Sequence, residues 1–86
     1  MFYTYILKSL KNGKYYIGST IALNQRIEKH NKGYVSSTKK LRPWILVFYQ
    51  VYETITKAKQ IEYRLKKLKR KDYIEKIIED KIIKMK

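Results

Sequence analysis

Seven carboxylates, nine tyrosines, one histidine and no cysteine make up most of the acid–base and metal-ligating repertoire of this 86-residue chain. That set narrows the chemistry. A Ser-His-Asp or Cys-His arrangement needs partners that are hardly present. A zinc site would be starved of ligands, and a two-metal phosphodiesterase wants several clustered carboxylates. Of the acids, Glu75, Glu79 and Asp80 fall on a polar helix face, Asp72 suits a helix start, and Glu28 and Glu53 have no evident partner. Glu62 remains, beside an apolar stripe and followed at i+4 by Lys66. Arg26 and His30 are four residues apart, so on a helix they project from one face. Tyr5, Tyr16 and Gly18 belong to a candidate hairpin. Each of these has a plain structural reading: amphipathic strand residues for the tyrosines, a surface pair for Arg26 and His30.

The elements that would carry them can be traced. Residues 2–8 are rich in aromatic and β-branched types and predict a strand. Asn12-Gly13 is a strong hairpin signal, because both residues tolerate positive φ in a type I′ turn. Residues 15–19 are then the return strand. A two-residue turn there sets Lys11 opposite Lys14 and, counting outward, Leu7 opposite Gly18. Odd positions of the first strand share a face with even positions of the second, so Tyr5, Tyr16 and Gly18 lie together. A glycine among two phenols leaves room for a close approach. Thr20 or Asn24 could cap a helix running to about Asn31, with Gly33 as its left-handed stop. Residues 34–43 form a polar, basic loop, and residues 44–52 a third strand apolar enough to be central. From Thr56 the period becomes helical, with Ala58, Ile61, Leu65 and Leu68 on one stripe. Asp72 with Glu75 resembles a capping box for a further helix, whose apolar side is Ile74, Ile77, Ile78 and Ile82. This last helix could equally continue the one before. The expected fold is α+β, one domain over residues 1–86, with a small three-stranded, mostly antiparallel sheet flanked by helices in the order β-β-α-β-α-α.

Placed in that order, the residues resemble the GIY-YIG nuclease superfamily. Tyr3, Thr4 and Tyr5, then ten residues, then Tyr16, Ile17 and Gly18 are similar to its paired motif. Arg26 follows Tyr16 by ten residues and His30 follows by four more, as in the family's first helix. Glu62, in the run Ala58 to Glu62 with Lys66 beyond, is similar to the segment of the family's metal-binding glutamate. The stretch from Thr38 to Tyr49, with Pro43 and Trp44, has a counterpart in the small stand-alone bacterial subfamily. Two departures stand out. Only the final tyrosine of the first motif, Tyr5, is carried over, and the late asparagine of larger members is missing, since the last asparagine is Asn31. Larger members also append a targeting domain, so low sequence specificity is expected here.

The resemblance implies a catalytic set of Tyr5, Tyr16, Arg26, His30 and Glu62. Tyr5 would activate water, with Tyr16 orienting it or relaying the proton. Glu62 can hold one Mg²⁺ (or Mn²⁺), which often takes only one or two carboxylates and keeps several waters. Arg26 can fork onto the scissile phosphate. A free phenol has a pKa of about 10 and is a poor base at neutral pH; a nearby cation and Arg26 would favour the phenolate. His30 could orient the phosphate or protonate the leaving group.

Charge agrees with a polyanionic substrate. Twenty-one Lys plus Arg against seven Asp plus Glu give a formal net charge of +14, and nucleic acid is the commonest partner of such a field. Lys39, Lys40 and Arg42, with Lys66, Lys67, Lys69, Arg70 and Lys71, would hold flanking phosphates, which positions a strand without reading bases. Tyr34 or Trp44 could stack on an unpaired base, although Trp44 also suits the core. No apolar run approaches the roughly 20 residues of a membrane span, and the N-terminus lacks a signal-peptide pattern. The expectation is therefore a mature, cytoplasmic, monomeric or weakly dimeric Mg²⁺-dependent endonuclease. It would act on nucleic acid, DNA ahead of RNA, in repair or processing. The alternative is a non-catalytic nucleic-acid-binding module of the same fold. A third reading is a partner-binding protein docking through Ile74, Ile78 and Ile82.

Overall fold

A computed structural model describes residues 1–68 and 70–83. Strand β1 spans Phe2–Ser9. Its residues Thr4 to Leu7 are all fully buried, which only a strand covered on both faces allows. β1 is accordingly the central strand of a three-stranded antiparallel sheet ordered β2-β1-β3, with β2 spanning Tyr15–Thr20 and β3 spanning Trp44–Tyr52. The expected central place of the third strand is thus corrected: β3 is an edge, and Ile45, Tyr49 and Val51 stay 41–50% exposed on it. Apolar composition did not separate a doubly covered strand from one that shows three of its eight apolar side chains to water.

The hairpin register also differs from expectation. Tyr5 pairs with Gly18 and Leu7 with Tyr16. Ser9 N–H donates to the Lys14 carbonyl (2.8 Å) and Gly13 N–H to the Ser9 carbonyl (2.9 Å), closing a four-residue loop rather than a two-residue turn. Side chains do the closing: Ser9 Oγ accepts from the amides of Lys11 and Asn12, and Asn12 Oδ1 from that of Lys14. Gly13 still takes the left-handed conformation, φ 77°. The slip is two residues, so the facing of Tyr5, Tyr16 and Gly18 survives, because side chains alternate with a period of two.

Helix α1 covers Leu23–Asn31 and starts without a side-chain cap; Thr20 Oγ1 instead accepts from the Ala22 amide. Its end follows the expectation. Gly33, φ 82°, lets Tyr34 N–H reach the Lys29 carbonyl (3.0 Å) and Gly33 N–H the His30 carbonyl (3.2 Å), the paired bonds of a left-handed helix stop. The basic loop holds a short 3₁₀ turn at Lys39–Leu41. Asn31 fastens the loop's end: its amide group donates to the Trp44 carbonyl (2.9 Å) and accepts from the Trp44 amide (2.7 Å).

Helix α2, Ile55–Leu68, buries Ala58, Ile61 and Leu65 as its stripe requires, while Leu68 is 41% exposed. Helix α3, Lys71–Asp80, is separate, because Arg70 is extended (φ −115°, ψ 107°). No capping box forms: Asp72 pairs with the Arg70 guanidinium at 2.7 Å instead. Ile74 and Ile77 are buried, whereas Ile82 lies beyond the helix, 46% exposed, and Ile83 is buried in its stead. Of the three residues considered for docking a partner, Ile74 lies inside the protein's own core, Ile78 is half-buried and Ile82 is exposed.

The sheet lies between two apolar layers. Ile6, Ile17 and Phe48 pack with Ile61, Leu65, Ile74, Ile77 and Ile83 on the α2–α3 side. Tyr5, Leu7 and Trp44 pack with Leu23, Ile27 and Leu41 on the α1 side. Each fully buried aliphatic side chain contributes about 1.5–3 kcal/mol, so both layers are needed in so short a chain. Thr4 Oγ1 fastens β1 to α2, donating to the Ala58 carbonyl (2.8 Å).

Candidate active site

The α1-facing side of the hairpin is built around Tyr5. Its ring is fully buried because position 18 has no side chain: a Cβ on Gly18 would stand 2.5 Å from the Tyr5 hydroxyl. Behind it sits His30, also fully buried. The phenol oxygen is 2.9 Å from His30 Nε2, and His30 Nδ1 is 2.8 Å from Thr38 Oγ1. Thr38 in turn donates to the Val35 carbonyl (3.2 Å). A hydroxyl has one proton to give. Thr38 spends its own on Val35, so His30 Nδ1 carries hydrogen and donates to Thr38, and Nε2 accepts from the Tyr5 hydroxyl. This tautomer is assigned from the network of bonds.

Tyr16 joins the cluster from the neighbouring strand. Its ring centroid lies 4.9 Å from that of His30 and 6.4 Å from that of Tyr5. The Arg26 guanidinium lies against both phenol oxygens, that of Tyr5 more strongly, and these contacts raise its already high pKa. Its Nε is buried without a hydrogen-bond partner. A buried unpaired donor is costly, so Arg26 is held beside the two phenols at a cost in stability.

Electrostatics set the resting protonation. Burial pushes the Tyr5 phenol up to about 12; the bond from Arg26 lowers it by less, and Tyr16 raises it further. Burial, and then the Arg26 charge, hold His30 down to about 4. Tyr5 is therefore a neutral phenol and His30 a neutral imidazole near pH 7. The expected effect of Arg26 on Tyr5 is present but is outweighed by desolvation. His30 is fully buried behind Tyr5, with both ring nitrogens bonded within the protein.

Glu62 arrives from the other layer. β2 is an edge strand, so groups from the two sides of the sheet meet around it. Glu62 Oε1 accepts from Ser19 Oγ of β2 at 2.5 Å and Oε2 from Lys66 Nζ at 2.7 Å. Lys66 Nζ also lies 5.4 Å from the Tyr16 ring centroid, and the Glu62 charge is felt at Tyr5. The five catalytic candidates thus fall into one neighbourhood. The carboxylate is 20% exposed and already holds one cation, the Lys66 ammonium. Among the described residues no group of three acidic, histidine or cysteine side chains could chelate a metal. A single carboxylate such as Glu62 could hold Mg²⁺, an ion that often takes one or two carboxylates and keeps several waters.

The flanking cations are unevenly placed. Lys59, Lys66 and Lys67 line an open groove along α2 with Glu62 on its wall. Lys14, Lys66, Arg70 and Lys71 surround a cavity on the other side of Tyr16. Lys39 and Lys40 stand exposed on the 3₁₀ turn, while Arg42 folds back, its Nε donating to the Lys39 carbonyl (2.8 Å). Lys69 lies outside the described residues. Trp44 is core, 4% exposed, its indole N–H bonded to the Thr38 carbonyl, whereas Tyr34 is 74% exposed. Glu28, without an evident partner in sequence, pairs with Lys32 at 2.7 Å. Sequence reasoning missed Ser19, Thr38, Lys14 and Lys59. Only the Thr38 stretch carried a signal, through its counterpart in the stand-alone subfamily.

The model of the GIY-YIG catalytic domain family matches residues 1–77, and the chain belongs to that family of nucleases. Within it the kinship is with small bacterial members. The chain is 40% identical over 65 residues to UPF0213 proteins of Staphylococcus aureus strains Mu3 and N315, an alignment covering 74% of this chain and 78% of theirs. Its fold is similar to the solution NMR structure of a UPF0213 protein from Bacillus halodurans, with a TM-score of 0.55 and 32% identity over 90% of this chain and 83% of that one.

Proposed function

We propose that the protein is a divalent-cation-dependent endonuclease that hydrolyses nucleic-acid phosphodiester bonds with low sequence specificity. The observation that carries this reading is the buried relay from Tyr5 through His30 to Thr38, set beside Arg26 and Glu62. Membership in the GIY-YIG family supports it. So does the net charge of +14.

The residues divide the work by position. Arg26 would turn an outer guanidinium N–H to a scissile phosphate oxygen and stabilise charge that grows at phosphorus. Tyr5 passes its proton to His30 Nε2 and, as phenolate, draws a proton from the attacking water. His30 becomes an imidazolium that donates on both sides, to Tyr5 and to Thr38. The water oxygen bonds to phosphorus as one P–O ester bond breaks; the leaving oxygen takes the proton that Tyr5 drew from the water, and His30 returns its own proton to Tyr5, which restores the neutral phenol and imidazole. In the resting protein this proton transfer is uphill by on the order of 10 kcal/mol, given phenol and imidazole pKa values of about 12 and about 4. A cation bound at Glu62 supplies positive charge that neutralises the phosphate and favours the phenolate. Lys66, bonded to Glu62 and beside the Tyr16 ring, would release Glu62 and take a phosphate instead.

A second reading has one observation in its favour. Both Glu62 oxygens are satisfied within the protein, by Ser19 and Lys66, as they would be in a pure nucleic-acid-binding module. Cleavage decides. Single-stranded, duplex, flapped and branched DNA and RNA are incubated with Mg²⁺ or EDTA, using the parent and Tyr5→Phe. The parent should yield product only with Mg²⁺, and Tyr5→Phe should lose roughly 10² to 10⁴ in turnover, the usual size of a lost general base. No Mg²⁺-dependent product on any substrate would favour the binding module.

A further inference from the structure

The relay and Glu62 leave one feature beside them unused. A cavity of about 400 Å³ opens where the start of β2 faces the junction of α2 and α3. That volume lies within the range of small-ligand sites, about 300–1,000 Å³. It has room for one nucleotide and none for a stacked pair of strands. Its floor is core: Ile17, Leu65 and Ile74, at most 8% exposed. Tyr15 supplies an aromatic wall, its phenol turned to Glu75. Lys14 and Lys71, both exposed, stand at the rim. Tyr16 and Lys66 line it too, and both belong to the catalytic neighbourhood, Tyr16 through His30 and Lys66 through Glu62.

An apolar, aromatic hollow with a cationic mouth suits a flat heterocycle joined to phosphates. We propose that it receives one unpaired nucleobase of the strand being cut, next to the scissile phosphate. The preferred substrate is then a single strand or a single-stranded flap, not an intact duplex. This rests on the nuclease reading of the adjoining site. In a duplex the base would first have to leave its stack, at a cost of a few kcal/mol. In an unpaired strand the base is free to stack on an aromatic ring, and removing such a ring typically weakens binding by roughly 5- to 150-fold. The rim lysines add affinity without reading sequence.

Binding without metal keeps this test apart from catalysis. Fluorescence anisotropy would be measured for a labelled single strand of about one helical turn's length when paired, its duplex, and a fully abasic strand of equal length and charge. Parent protein and Tyr15→Leu, which keeps apolar bulk but removes the ring, are compared, with folding checked by circular dichroism. The parent should bind the single strand at least about tenfold more tightly than the abasic strand, an effect within the stacking range. Tyr15→Leu should lose roughly 5- to 100-fold for the single strand and little for the duplex. Equal parent affinities for the normal and abasic strands would overturn the proposal, whatever Tyr15→Leu does. So would displacement of the single strand by polyglutamate of matched charge, which would make the cavity a general polyanion site. Absence of cleavage would count against the nuclease reading alone.

Discussion

At the scale of single residues, His30 is the group whose protonation the fold sets most sharply. His30 is held neutral by burial, with its pKa at about 4, against about 6.5 in an unfolded chain. Between those values the unfolded state binds more protons, so stability rises with pH across that window and is lost as pH falls from about 6.5 to about 4. The full effect is roughly 3 kcal/mol. Urea unfolding of the parent and His30→Gln from pH 4 to 7 checks it. Carboxylate titration is common to both, so the difference in their unfolding free energies should grow with pH in favour of the parent and level off near pH 7. A pH-independent difference would mean that the imidazole is not buried neutral. The residue types at the site were legible in the sequence because their spacing is distinctive. Their protonation was not, since it depends on the bonds of Thr38 and on burial, neither of which leaves a periodic trace.

Elements carry the next level of the argument, and the hairpin carries most of it. Gly18 is a glycine because the Tyr5 ring occupies its side-chain space; a Cβ would meet the hydroxyl at 2.5 Å and Cζ at 2.6 Å. Gly18→Ala should therefore displace Tyr5 from His30. A misplacement near 1 Å can cost about 10² in rate, and overpacking costs about 1–3 kcal/mol in stability. Turnover under saturating Mg²⁺, read beside the melting temperature, should show the larger loss in turnover. Parent-like turnover in a folded variant would contradict the seating of Tyr5 described here. The facing of Tyr5 with Tyr16 was legible although the register was not, because alternation fixes the face while the loop fixes the pairing. Ser9 and Asn12 widened that loop through side-chain bonds that turn propensities do not count. The place of β3 was hidden for a related reason. Which strand is central follows from pairing partners far apart in the chain, and the continuous burial of Thr4 to Leu7 in β1 is the local sign of it.

On the scale of the whole molecule, a sheet covered on both sides brings a tyrosine and histidine from one layer to a carboxylate from the other, around the edge strand β2. The sequence carries 21 basic residues against seven acidic ones, and Glu62, with its side chain 20% exposed, is bonded to Ser19 and Lys66. Charge was fully legible from composition, but its distribution into the α2 groove and the β2 cavity needed the fold, as did the pairing of Glu62 with both Ser19 and Lys66. That pairing makes Glu62 the point at which nuclease and binding module diverge most. Glu62→Gln keeps the shape and the bond to Ser19 but removes the charge that would hold a divalent cation. The most direct measurement is single-turnover cleavage of a labelled single-stranded oligonucleotide by this variant and the parent across a Mg²⁺ titration, with metal-free affinity determined alongside. The account predicts that cleavage falls by more than about a thousandfold, comparable to loss of a key electrostatic group. Affinity should be unchanged or tighter, because a negative charge facing phosphate is gone. Parent-like, Mg²⁺-dependent cleavage by Glu62→Gln, in a preparation free of contaminating nuclease, would contradict it.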